Sequence, residues 1–122
     1  MNREVNKVAI FTCAGGSNTG QTANAAGVKL AQAGFGYLAC LSGVGAGAEN
    51  TLKKLTQVQK VIVIDGCPVA CARKMLEKAG VKVDYYALVT ELGVRKSLDV
   101  LEPVPAEVER VYDAMVKLCR TS

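Results

Sequence analysis

The chain has 122 residues, of which 50% are hydrophobic and 21% are charged, and its net charge at neutral pH is +4. This length and composition are typical of one globular domain and exclude a disordered chain. There is no histidine. Histidine-dependent nucleophiles such as the Ser-His-Asp triad are therefore excluded, as are imidazole metal ligands.

Apolar stretches and the distribution of basic residues indicate the compartment and the class of partner. No apolar stretch approaches the roughly 20 residues of a membrane-spanning helix. The starting segment MNREVNKVAIF has no long apolar signal region. We therefore expect a cytoplasmic protein with no membrane partner. Nucleic-acid binding is not expected, because the basic residues are scattered and aromatic residues are few. The oligomeric state is left open.

The first half of the chain predicts two strands and two helices. A short apolar strand is predicted at residues 7–13, followed by the glycine-rich segment AGGSNTGQ and a helix over residues 22–32. A second strand at residues 36–41 leads into the glycine-rich loop SGVGAGAEN. Leu52, Leu55 and Val58 then mark a second helix.

The second half continues the alternation. The most strongly apolar strand is predicted at residues 61–64, and a helix from Pro68 to a stop at Gly80 follows it. Residues 83–90 predict a fourth strand, residues 91–102 a loop with one helical turn, and residues 103–118 an amphipathic helix. We therefore expect a single-domain α/β fold over residues 1–122. It would be a small three-layer sandwich of about four parallel strands, Rossmann-like or flavodoxin-like.

Four of the five cysteines are predicted to meet at one edge of this sheet. Cys13, Cys40 and Cys67 each follow or end a strand, and the carboxyl ends of parallel strands lie at one edge, where ligands bind. Both common strand orders of this fold class keep the first three strands contiguous. Cys71 is predicted one helical turn after Cys67, on the same helix face. Cys119 is expected to pack in the core beside the last helix.

The glycine-rich loops fit nucleotide-binding motifs poorly. GGSNTGQT has Gln21 where a phosphate-binding loop needs lysine, which argues against ATP or GTP hydrolysis. GVGAGA matches the dinucleotide fingerprint weakly. We expect these glycines to form tight turns close to the thiol site.

The segment DGCPVACARK, together with the cysteines in FTCAGGSNTGQ and LACLSGVGA, resembles the DGC-domain family, whose members are proposed to bind zinc. The resemblance runs from about Val8 to Val89. It implies zinc as the cofactor and Cys13, Cys40, Cys67 and Cys71 as its ligands, and it implies no particular reaction.

Three functions are compatible with this pattern. The first is a small zinc-binding protein with a four-cysteine site; four thiolates close the coordination sphere, whereas a cysteine left off the metal would open it to a catalytic role. The second is a thiol redox or sulfur-transfer protein in which Cys67 is the attacking thiolate. The third is an iron–sulfur protein. Asp65 is either a candidate base or a cap for the loop or helix.

Overall fold

The computed structural model describes residues 7–121, and its centre is one parallel β-sheet. The apolar segments form four strands, which are β1 Val8–Thr12, β2 Tyr37–Leu38, β3 Lys60–Asp65 and β4 Tyr85–Leu88. The strand order is β2-β1-β3-β4, and all three pairings are parallel. The predicted α/β class is confirmed, and β1, β2 and β3 are contiguous as expected.

Helices cover both faces of the sheet. Residues 7–121 form five α-helices, which are α1 Asn18–Gln32, α2 Leu41–Gly45, α3 Glu49–Leu55, α4 Cys71–Lys78 and α5 Pro105–Arg120. Alternate side chains of β1 and β3 point to opposite faces. Ile10, Ile62 and Ile64 pack with residues of α1 and α5. Phe11, Val61 and Val63 pack with residues of α2 and α4. The result is the predicted three-layer arrangement.

The structure corrects several predicted element boundaries. Helix α1 begins at Asn18, four residues before the prediction, because the Ser17 hydroxyl accepts a hydrogen bond from Gly20 N and caps the helix. Part of the glycine-rich segment after β2 forms α2 and was wrongly predicted as a loop. The helical turn predicted within residues 91–102 lies slightly earlier, as the 3-10 turn Val89–Leu92.

The most important correction concerns the start of α4. The helix begins at Cys71 and not at Pro68, because Ala70 adopts a left-handed conformation with φ of 55°. A non-glycine residue in this conformation ends any continuous helix through that point. The predicted placement of Cys67 and Cys71 on one helix face is therefore wrong.

Among residues 7–121, no helix is both long enough and apolar enough to cross a membrane.

Candidate functional site

A cavity of about 260 Å³ lies at the carboxyl edge of the sheet, and three of the predicted site cysteines line it. Cys13 follows β1, Cys67 follows β3, and Cys71 is the first residue of α4. The wall is completed by the glycine-rich loop before α1 and by Lys96 and Leu98. The parallel topology thus brings together thiols that are distant in the chain.

Cys13 is one of two partly buried thiols in this group. Its backbone N–H continues the sheet by donating to Ile64 O at 3.2 Å, and its Sγ accepts a hydrogen bond from Gly66 N at 3.3 Å. Burial raises the pKa of the Cys13 thiol, while the N–H groups of Gly15 and Gly66 partly oppose this rise. The negative charges of Asp65 and Cys67 raise this pKa further. The two thiols share one cavity, and Gly66, whose N–H donates to Cys13 Sγ, directly precedes Cys67.

Cys67 and Cys71 enclose a tight loop between β3 and α4. Cys67 is partly buried and Cys71 is exposed. Ala70 N donates to Cys67 O at 3.0 Å, which closes the turn. Lys96 Nζ lies 3.5 Å from Cys67 Sγ. The loop conformation thus places a cation beside one sulfur and begins a helix at the other.

Asp65 is a helix cap. Its carboxylate is fully buried and accepts hydrogen bonds from Ala72 N at 2.9 Å, Arg73 N at 3.0 Å and Tyr86 Oη at 3.0 Å. Burial raises the pKa of Tyr86, and the Asp65 charge and hydrogen bond raise it further. Of the two interpretations of Asp65, the structure supports the cap, because both carboxylate oxygens are already occupied by donors.

Cys40 lies outside the lining of the cavity. It is exposed, and its Sγ accepts a hydrogen bond from Gly43 N at 3.3 Å, which caps α2. Within residues 7–121, no three cysteine, aspartate or glutamate side chains form a group that could hold a metal ion in this conformation. Three sulfurs therefore share a cavity, and the fourth predicted ligand is turned toward its own helix.

Cys119 packs against the core cluster formed with α1 and α5, as predicted. Burial raises the pKa of its thiol. It does not line the cysteine cavity.

Sequence reasoning missed the residues contributed by the segment after the 3-10 turn. Lys96 and Leu98 line the cavity, and Asn18 fastens their segment through hydrogen bonds to Arg95 and Ser97. The segment carries neither helical nor strand periodicity, so no local pattern could have placed it over the cysteines.

Comparison with known proteins confirms the resemblance to the DGC-domain family. The family model of the DGC domain matches residues 9–115. The chain is also similar to the anaerobic and virulence modulator AnvM of Pseudomonas aeruginosa, with 26% identity over 87 residues. The matched region covers 71% of this chain and 66% of that relative, or just under two thirds of the relative's length. No solved structure matches significantly. Since the family model covers most of the chain, this protein belongs to the DGC domain family.

Proposed function

We propose that this protein binds one zinc ion through its cysteine thiolates in the reducing environment of the cytoplasm. Cys13, Cys67 and Cys71 would be the core ligands, and Cys40 would be the fourth. The observation that carries the proposal is the shared cavity of Cys13, Cys67 and Cys71. With no histidine in the chain, thiolates are the donors available for a zinc ion at this edge of the sheet.

The polar surroundings of the sulfurs support this assignment. Three of the four sulfurs have a donor directed at them, namely Gly66 N at Cys13, Gly43 N at Cys40 and Lys96 Nζ at Cys67. Groups that donate to a ligand sulfur stabilise the thiolate and orient it toward a metal. Donors of this kind also offset part of the charge of a multi-thiolate site.

The participation of Cys40 determines whether the zinc site is closed or open. Cys40 follows β2, which pairs with β1, and Cys13 follows β1. The thiol of Cys40, however, caps α2. Binding through all four cysteines therefore requires the Cys40 side chain and the start of α2 to adjust. Four thiolates would give a closed, structural zinc site, whereas three would leave one position for water or another ligand. A modulating role, as the relative's name describes, would suit either form.

The test is the zinc content of the full-length chain, purified under reducing conditions and measured by mass spectrometry. We expect about one zinc per chain, as in single structural sites, and a large loss in the Cys13→Ser, Cys67→Ser and Cys71→Ser variants. Cys40→Ser distinguishes four ligands from three, because zinc affinity falls strongly only if Cys40 binds the metal. Cys119→Ser is the matched control and should retain zinc.

Two results would contradict the proposal. One is a chain that takes up no zinc when the metal is supplied to reduced protein. The other is a loss in Cys119→Ser as large as that in Cys67→Ser. A brown protein with visible absorption would instead identify an iron–sulfur cluster.

A thiol redox or sulfur-transfer function is the second candidate, and the contact of Lys96 with Cys67 favours it. The Lys96 ammonium is 3.5 Å from Cys67 Sγ, which is the kind of cationic neighbour found beside nucleophilic thiolates. Metal-free protein in which Cys67 reacts much faster than the other thiols would support this function over zinc binding.

A further inference from the structure

The segment that lines one side of the cysteine cavity is hydrogen-bonded to Asn18, at the start of α1. We name residues 95–98 the strap. Asn18 makes three hydrogen bonds to it: its backbone N donates to Ser97 O at 3.2 Å, its Nδ2 donates to Arg95 O at 2.8 Å, and its Oδ1 accepts from Ser97 N at 2.5 Å. Just before the strap, Val94 is buried in the core. The strap is therefore held on both sides of Lys96.

This anchoring gives the cavity a positive charge beside its reactive atoms. Among the described residues that line the cavity, Lys96 is the cation and Asp65 is the carboxylate. Asp65 is fully buried, and its two oxygens accept three hydrogen bonds. The Lys96 ammonium, by contrast, lies at the protein surface 3.5 Å from Cys67 Sγ. An entering molecule thus meets an exposed cation, whereas the carboxylate that lines the cavity is buried and its two oxygens already accept hydrogen bonds.

The remaining lining indicates the size and shape of a ligand. Val69 and Leu98 both line the cavity and are 53% and 70% exposed. A volume of about 260 Å³ is slightly below the usual range of ligand pockets, roughly 300–1,000 Å³. The cavity therefore fits a small molecule with one anionic group and a short apolar part, and not a nucleotide or a peptide.

We propose that the cysteine cavity binds a small organic anion, that Lys96 determines the preference for negative charge, and that Asn18 positions Lys96. The inference deepens the proposed function, because it assigns a ligand class to the same cysteine site. The anion preference affects how a small molecule approaches Cys67, and it can be measured in the absence of metal.

The experiment compares two alkylating reagents of similar size, anionic iodoacetate and neutral iodoacetamide, on the full-length chain. Zinc is removed by chelation and the thiols are kept reduced. In both reactions the Cys67 thiolate attacks the CH₂ carbon, an S–C bond forms, and iodide leaves with the bonding electrons. Mass spectrometry of the Cys67 peptide gives the two rates. Their ratio is independent of the thiolate fraction, since both reagents require the same form of the sulfur.

The ratio is normalised to that of an uncharged cysteine model peptide. The attraction between unit charges about 4 Å apart in water corresponds to roughly a fivefold preference. We therefore expect wild-type protein to favour iodoacetate by about fivefold and Lys96→Gln to lose most of this preference. Lys96→Arg should retain it. Lys78→Gln is the matched control, because Lys78 lies in the last turn of α4, at the opposite end of the helix from Cys71.

Two further measurements test whether the preference arises from a positioned Lys96 charge and not from a general structural effect. Asn18→Ala should lower the preference while Lys96 is still present, because the strap loses its anchor. Salt should also weaken the preference, since the screening distance falls from about 10 Å at 0.1 M to about 3 Å at 1 M. Both effects follow from a fixed charge beside the sulfur.

Equal ratios in Lys96→Gln and Lys78→Gln would overturn the proposal. An unchanged ratio in Asn18→Ala would refute the positioning role of Asn18. Zinc content measured on the same preparations before chelation keeps the two proposals separate. A chain that binds zinc without an anion preference refutes this inference alone, and a chain with the preference but no zinc refutes only the zinc proposal.

Discussion

Replacing Asp65 with asparagine tests whether this buried carboxylate supports the start of α4. In the structure, Oδ1 accepts from Ala72 N, and Oδ2 accepts from Arg73 N and from the Tyr86 hydroxyl. Asparagine has nearly the same shape, but it replaces one of these acceptors with an NH₂ group. A donor would then face a donor at a fully buried position.

The cost follows from the hydrogen bonds that are lost. A hydrogen bond to a charged group contributes about 1.5–3 kcal/mol, and loss of a helix cap costs about 0.5–2 kcal/mol. Because asparagine keeps one acceptor, we expect Asp65→Asn to lower the free energy of unfolding by about 2–4 kcal/mol. For a domain of this size that corresponds to a fall in Tm of roughly 8–15 °C.

Urea unfolding of the metal-free protein, followed by circular dichroism, measures this change. The dependence of the unfolding free energy on urea should stay the same while the midpoint falls. Tyr86→Phe removes a single donor and should cost only about 0.5–1.5 kcal/mol. Asp99→Asn, at an exposed position, is the control and should lie within about 0.5 kcal/mol of wild type. An Asp65→Asn variant as stable as Asp99→Asn would refute the capping role.

Three further predictions concern the site and its surroundings. Gly66→Ala should destabilise the protein by about 1–3 kcal/mol, because an added Cβ would lie 2.7 Å from the backbone N of Gly20; a urea midpoint equal to wild type would contradict this. Asn18→Ala should increase hydrogen exchange at the amide of Ser97, which donates to Asn18 Oδ1, and unchanged protection would show that the strap does not depend on it. Burial raises the pKa of the Cys119 thiol above its ordinary value of 9.0, so the folded state holds this proton more tightly than the unfolded chain does. The protonated Cys119 thiol therefore contributes its full stability below pH 9.0, and this contribution is lost as the pH rises through the pKa of the folded state. In urea titrations, a Cys119→Ala variant should lose less stability than wild type between neutral and alkaline pH.

Local sequence patterns predicted the sheet better than the starts of the helices. The apolar segment of β3 can be recognised from its own residues, because a strand buried on both faces requires a continuous apolar run. The start of α4 could not be predicted in this way. It depends on the left-handed Ala70 and on caps supplied by Asp65 from the preceding strand, and a proline at position 68 suggested an earlier start.

The cysteine site, too, could be predicted only in part from the sequence. Parallel strands joined by helices must end at one edge of the sheet, so the sequence was sufficient to predict that Cys13 and Cys67 would meet there. It was not sufficient for Cys40, whose side chain turns to Gly43 N. The direction of a side chain at a loop depends on local hydrogen bonds, and the order of strands does not determine it.

By itself, the sequence determined the α/β class and the edge of the sheet at which Cys13 and Cys67 lie, because these follow from periodic patterns and from the handed connections of parallel strands. The family was indicated by the resemblance of the cysteine-containing segments to the DGC-domain family, which the family model confirms. Only the tertiary structure decided that Asp65 caps α4, that Cys40 caps α2 and does not line the shared cavity, and that Lys96 lies against Cys67. Each of these depends on hydrogen bonds or close contacts made after the chain has packed. Several of them join residues far apart in the chain, and no local pattern of residues encodes such contacts.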